Sequence, residues 1–170
     1  MSYELLFSPI KIKHLELDSR IVMAPTRDSF ATPDGFVTPG FTDYYLRRAQ
    51  GGTSMLIIGA VAVTPRPSPY NLRINDDRFV PGLKDFVRRV HEETSAKVCA
   101  QLIQWMKTSR GWIQDINDMP AVEIVQAIDN FAQGALRSRE AGFDAIELHG
   151  AHGYLLAESM SLRNKRKDKF

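Results

Sequence analysis

The sequence predicts an α/β fold built on a parallel sheet. Short apolar runs recur along the chain, helical signals fill the intervals between them, and polar or special residues gather where the runs end. The runs are Ile21-Val22-Met23-Ala24, Met55-Leu56-Ile57-Ile58, Val98-Cys99-Ala100-Gln101-Leu102-Ile103 and Ala145-Ile146-Glu147-Leu148. Each reads as a strand buried on both faces, because apolar residues do not simply alternate with polar ones. The resulting order, β-α-β-α-β-α-β, argues for parallel strands joined by right-handed crossovers.

Strand one closes on Pro25-Thr26-Arg27. Helix one has Thr38 as N-cap and Pro39 at its first position, carries Tyr44-Tyr45-Leu46 and ends at Gly51-Gly52, a capped start and a glycine stop. Strand two runs into Gly59-Ala60. Helix two spans about Gly82 to Ser95, with Leu83, Phe86, Val87 and Val90 at i, i+3, i+4 and i+7, the stripe of a helix with one buried face. Strand three carries Gln101 and is followed by Gln104. Helix three starts near Pro120 and carries Val122, Val125, Ile128, Phe131, Ala132 and Leu136 to Gly142. Strand four opens directly into His149 through Tyr154. Special residues beyond the carboxyl ends of all four strands favour a barrel, although open α/β sheets also bind ligands there. No Gly-rich dinucleotide loop, P-loop or nucleophile-elbow serine follows any strand.

With 170 residues, 44% of them hydrophobic and 25% charged, the composition is that of one globular segment. No apolar run approaches the roughly 18 residues of a membrane helix, and the start lacks a secretory pattern, so a cytoplasmic location is expected. The single cysteine, Cys99, excludes an internal disulfide framework and a cysteine zinc site. Lys and Arg outnumber Asp and Glu by 22 to 20, too even a balance to imply a nucleic-acid partner. The basic run Arg163 to Lys169 reads as a solvated loop, since neither a recognition helix nor stacking aromatics accompany it. A closed (β/α)8 barrel typically needs about 250 residues.

The richest cluster is Glu147-Leu148-His149-Gly150-Ala151-His152-Gly153-Tyr154. Two imidazoles three residues apart after a buried strand can point into one crevice and donate to a carbonyl oxygen, and a nearby phenol can supply a proton. The alternative is that one histidine satisfies backbone groups and Tyr154 caps the strand end. A metal reading is weaker, for want of a third ligand or a His-Glu-x-x-His helix. Ala24-Pro25-Thr26-Arg27 offers a hydroxyl and an amide at the end of strand one, or is only a turn. Gln101 sits inside an apolar strand, where an amide must be paired. It either reads the donor and acceptor edge of a heteroaromatic ring or pairs with a neighbouring strand. Trp105 and Met106 read as crevice wall or core, and Cys99 as a packed thiol.

Taken together and in order, these segments resemble the Old Yellow Enzyme family of flavin-dependent NADH:flavin oxidoreductases and ene-reductases. The resemblance begins at Leu6-Phe7-Ser8-Pro9-Ile10 and Arg20 to Thr26, and continues through Asp34 to Thr38, Tyr44 to Ala49 and Gly59 to Val63. It is densest at Ala141 to Leu156 and ends in Asn164 to Phe170. It implies a TIM (β/α)8 barrel that holds FMN at the carboxyl end of its strands, with NAD(P)H as electron donor. Ala24, Pro25 and Thr26 would lie beside the reactive edge of the flavin, Ala60 would give a small contact at the ring edge, and Gln101 would bond the pyrimidine edge. His149 and His152 match the pair that holds a substrate carbonyl oxygen, and Tyr154 matches the proton donor to the adjacent carbon. The small-molecule substrate would be an α,β-unsaturated carbonyl compound.

Three features depart from the family pattern: Arg27 after Thr26, Gln104 where a histidine is common, and a short Trp105 to Met119 loop. The family motif at the end runs on into two glycines and four more strands, whereas this sequence stops at Phe170. The expectation is therefore that residues 1–170 form the N-terminal half, (βα)1 to (βα)4, of the barrel. It would be active once a C-terminal half, or a second copy of the chain, completes it as an oligomer. The alternative is a non-catalytic half-barrel that binds a partner through its open sheet edges.

Overall fold

The computed structural model describes residues 3–65, 69–105 and 115–170. An antiparallel hairpin of β1 (Ile10–Ile12) and β2 (Leu15–Leu17) opens the chain. The expected alternation follows: β3 (Val22–Met23), α1 (Pro39–Gln50), β4 (Met55–Ala62), α2 (Val80–Glu93), β5 (Lys97–Ile103), α3 (Ala121–Glu140), β6 (Ala145–Leu148) and the short α4 (Leu155–Ser159). The strands β3-β4-β5-β6 pair in that order, all parallel. Among the described residues the sheet is open, with β3 and β6 at its edges.

Local chemistry explains the helix starts. Thr38 accepts from the Phe41 amide at 3.1 Å and Pro39 follows at the first helical position, which satisfies one orphan amide and dispenses with another. In α2, Leu83, Phe86, Val87 and Val90 are all buried. They meet Phe41, Tyr45, Leu46 and Ala49 of α1 over the strand residues Leu56, Ile58, Val98, Ala100 and Leu102. Phe41 lies 4.7 Å from Tyr45 and 5.0 Å from Phe86, centroid to centroid. Each such ring contributes about 1.5–3 kcal/mol by burial, more than an exposed ion pair contributes, so apolar packing holds the helices to the sheet.

The opposite face of the sheet is closed at its amino-terminal end by the hairpin, whose Leu15 and Leu17 pack on Met55 and Cys99. The hairpin was absent from the sequence reading. Its strands are three residues long, and its turn passes through Lys13 in the left-handed region, at φ 54°, without a Gly or Asn to announce it. Other boundaries also shift. Strand one shortens to Val22–Met23, strand two extends to Ala62, and helix two begins at Val80. The basic run is more than a solvated loop. Arg166 donates to the Ile116 and Met119 carbonyls at 2.7 and 2.5 Å and pairs with Asp168, tying the run to the start of α3. Met106 and residues 106–114, within the loop read as short, lie outside the described residues.

Gly134 lets α3 approach the sheet: a Cβ there would stand 2.6 Å from Val63 Cγ1 and 3.5 Å from Leu102 Cδ1. In an exposed helix, replacing Gly by Ala gains about 1 kcal/mol. Here overpacking against buried Val63, typically about 1–3 kcal/mol, outweighs that gain. Gly134→Ala is expected to lower the unfolding free energy in a denaturant titration, and an increase would show that α3 does not press on Val63.

Candidate functional site

Strand register assembles the site. Gly59 of β4 lies next to the loop after β3, where Arg27 forms an isolated parallel bridge with it. A Cβ on Gly59 would meet Pro25 Cβ at 2.6 Å and Gln101 Oε1 at 3.1 Å. Only a hydrogen at this position lets the Pro25 loop and the Gln101 amide converge on one spot. Ala60 follows, buried, and the β4–β5 ladder shifts between Ile58 and Val61. The sum is a floor of small residues, with Pro25 half-buried and Ala24 and Thr26 exposed at its rim. The Thr26 hydroxyl reaches the Ala24 carbonyl at only 3.5 Å, too long to hold it firmly.

Two residues unassigned by the sequence reading support that floor. Asn71 is buried, and its Nδ2 donates to the Ala60 carbonyl at 2.5 Å and the Leu72 carbonyl at 3.2 Å. Glu147 stands opposite Gln101 in the β5–β6 ladder and accepts from Gln101 Nε2 at 2.7 Å. Gln101 is thus paired to a neighbouring strand through its nitrogen, while its oxygen lies on the Gly59 side. Glu147 could have been found from spacing: it is two residues before His149, so both occupy the same side of the extended chain. Asn71 carried no such signal.

His149 is 8% exposed, and its amide extends the ladder by donating to the Leu102 carbonyl at 3.0 Å. His152 and Gly153 adopt positive φ, 59° and 69°, and this turn folds the chain back into α4. The turn brings His152 Nδ1 to 3.2 Å from His149 Nε2. Tyr154 lies with its ring 5.3 Å from that of His149 and 6.3 Å from that of His152. Trp105 stands edge-on to Tyr154 at 4.9 Å and packs with it on Ala60, Ala62 and Ile103. Gln104 points elsewhere, accepting from Asn130 at 3.3 Å.

Electrostatics favour a neutral His149. Burial, reinforced by repulsion from charge on His152, holds it below the usual histidine range, and the Glu147 carboxylate opposes that shift. A neutral pair commits one N–H to the 3.2 Å contact, which leaves the pair a single further N–H to donate while that contact stands. Cys99 takes no part: burial, then the charges of Glu147 and Asp144, push its thiol up to about 12, which leaves it inert. Among the described residues, no group of three or more His, Cys, Asp or Glu could hold a metal, and no helix is long and apolar enough to cross a membrane.

The chain matches known proteins over nearly its whole length. It is 38% identical over 182 residues to an NADPH dehydrogenase of Halalkalibacterium halodurans, covering 97% of this chain and 54% of that protein. It is 34% identical to an NADH oxidase of Thermoanaerobacter brockii, covering 97% of this chain and 29% of the relative. Among solved structures, Old Yellow Enzyme from Pichia sp. AKU4542 superposes with a TM-score of 0.88 at 27% identity, over 97% of this chain and 51% of that one. Morphinone reductase shares the fold, with a TM-score of 0.82. The chain thus spans about half the length of these structures and of the NADPH dehydrogenase, and under a third of the NADH oxidase, and the four parallel strands correspond to part of the TIM barrel of the solved structures. Residues 5–110 and 113–170 match the family model, and the chain belongs to the NADH:flavin oxidoreductase / NADH oxidase family.

Proposed function

We propose that residues 1–170 are the N-terminal half of an FMN-dependent oxidoreductase that uses NAD(P)H to reduce α,β-unsaturated carbonyl compounds and acts in the cytoplasm. The observation that carries this reading is the convergence, at the carboxyl ends of neighbouring strands, of a small-residue floor, an amide edge and a His–His–Tyr cluster. The floor fits a planar heteroaromatic ring: Gly59 leaves no Cβ, Ala60 is small, and Gln101 turns its oxygen toward it. Ala24, Pro25, Thr26, Ala60 and Gln101 would hold FMN. The chemistry a bound FMN supplies is hydride transfer, in from NAD(P)H and out to the β-carbon of the substrate.

The chain's own residues bind, polarise and protonate. With the substrate carbonyl oxygen displacing their mutual contact, His149 and His152 would each donate one N–H to it as negative charge builds there, a charge that such donors stabilise more in the transition state than in the ground state. Tyr154 would deliver its phenolic proton to the carbon beside the carbonyl, completing net addition of two hydrogens across the double bond.

Completion of the barrel would come from a C-terminal half, or from a second copy of this chain. Exposed apolar side chains support that need. Ile146 and Leu148 of the edge strand β6 are 42% and 52% exposed, and Val122, Val125 and Ile128 of α3 are exposed as well. A buried parallel sheet ordinarily has both faces and both edges covered. The same open edges favour the second reading, a non-catalytic oligomer. Absorbance and mass separate the two, because the completed enzyme carries flavin bands and the oligomer is colourless.

In the completed barrel, Tyr154→Phe is expected to slow substrate reduction about 100-fold or more, the usual size of a general-acid contribution, while flavin reduction by NAD(P)H is nearly unchanged in stopped flow. Equal slowing of both half-reactions would remove Tyr154 from the proton-donor role. The lowered His149 value makes a second prediction. The unfolded chain takes up the proton near 6.5 and the folded chain only at lower pH, so His149 contributes no pH dependence well above 6.5 and costs stability as pH falls below it. Unfolding titrations across that range should show a steeper acid loss for the unsubstituted protein than for His149→Gln; parallel curves would mean that His149 is not held neutral.

A further inference from the structure

The Gln101–Glu147 contact fixes more than a strand pair. Gln101 is 7% exposed, and a side-chain amide can in principle present its nitrogen or its oxygen to a neighbour. An ionised carboxylate only accepts, so the 2.7 Å contact to Glu147 Oε1 exists in one orientation, with Nε2 toward β6 and Oε1 turned away. Oε1 then lies toward Gly59, 3.1 Å from where a Cβ would stand, on the side where Pro25 closes in. Among the described residues no hydrogen-bond donor engages that oxygen. The amide therefore presents an acceptor to the floor, and the residue that chooses acceptor over donor is Glu147.

We propose that Glu147 is a positioning residue: it locks the Gln101 amide so that the floor selects a ring edge presenting an N–H donor, the imide edge of a flavin. The proposal rests on the flavin reading above for the identity of the ligand, while the lock itself stands on the strand register and the hydrogen bond. The strand supplies the rigidity. Gln101 and Glu147 are direct partners in the parallel ladder, so the two side chains leave adjacent backbones on the same face. The same carboxylate also acts on His149, two residues on, where it opposes the effect of burial. One side chain thus bears on the edge where the cofactor would sit and on the group that would hold the substrate oxygen.

Glu147→Gln keeps the length and shape of the side chain but can donate as well as accept, so the Gln101 amide is free to turn. Two measurements on the completed barrel test this. The first needs no flavin: in NMR spectra of the flavin-free protein, the Gln101 side-chain amide protons should resonate downfield, as donors to a charged acceptor do, and lose that shift in Glu147→Gln. The second is a double-mutant cycle on FMN affinity. Glu147→Gln should weaken binding about tenfold or more in the native background and have almost no effect in a Gln101→Leu background, because its action passes through that amide. Equal weakening in both backgrounds would show a merely structural role and overturn the proposal, as would unchanged affinity in the native background. If Glu147→Gln does not fold, Glu147→Asp, which keeps the charge but withdraws the acceptor, should give the same pattern at smaller amplitude. Failure of the unsubstituted protein to bind FMN would overturn the flavin reading and the ligand assigned to the lock, and the amide spectrum would then uphold or refute the lock alone.

Discussion

The arrangement at the strand ends depends on the register in which three neighbouring parallel strands run side by side. Met55 lies opposite Lys97 and Ile58 opposite Ala100 in the β4–β5 ladder, and Gln101 lies opposite Glu147 in the β5–β6 ladder. A slip of one residue in a strand sends every side chain to the other face. Here it would take Gln101 away from Gly59 and Glu147 away from Gln101, and would bring Leu102 or Ile146 into the space between them. The apolar packing of Leu56, Ile58, Val98, Ala100 and Leu102 under α1 and α2 therefore does more than stabilise. It is what makes the polar residues on the opposite face meet.

Those polar residues are costly to bury, and each pairs within the chain. Gln101 gives its nitrogen to Glu147, Asn71 gives its nitrogen to the Ala60 carbonyl, and His149 shares a proton with His152. A buried amide or imidazole without a partner costs a few kcal/mol, more than a satisfied one returns, so these pairs fix orientation more than they add stability. Orientation is what catalysis by positioning requires. Gln101 is left with an oxygen on the Gly59 side, and the histidine pair with one N–H beyond their mutual contact. The site thus gains a defined pattern of donors and acceptors, to which the buried Asn71 Oδ1 and Trp105 Nε1 add, having no partner among the described residues.

Much of the fold was legible because it is written locally. The Thr38-Pro39 start and the Gly51 stop of α1 are chemical requirements of a helix terminus, and the stripe Leu83, Phe86, Val87, Val90 is a requirement of one buried face. The runs at residues 55–58 and 98–103 contain few polar residues because both faces are covered, whereas the run at 145–148, expected to be buried on both faces, leaves Ile146 and Leu148 exposed because it is the edge strand. The hairpin Ile10–Ile12 with Leu15–Leu17 was not legible, since three-residue strands are too short for periodicity to register and the turn lacks a turn residue. At the site, His149, His152 and Tyr154 stood out because they are close in sequence and flanked by glycine. Glu147 lies in the same run, two residues before His149, and spacing alone puts it on the histidine's side of the strand, but its partner Gln101 is fixed only once β6 is laid against β5. Asn71 was hidden for the same reason, being 11 residues from the Ala60 carbonyl that it holds and outside any named strand.

The two faces of β6 differ in a way that bears on how such a site is built. The face carrying Glu147 and leading to His149 is engaged with β5 and its side chains, whereas the face carrying Ile146 and Leu148 is open. Register and hydrogen bonding act over one strand spacing and are satisfied within this chain. Hydrophobic burial needs area on both sides of an element, and the outer side of β6 lacks it. The donors and acceptors that would recognise a ring and a carbonyl are consequently set by neighbouring strands alone. The apolar surface beside them sets a separate demand for more sheet and helix, and supplying that cover would bury β6 without requiring the polar side to rearrange.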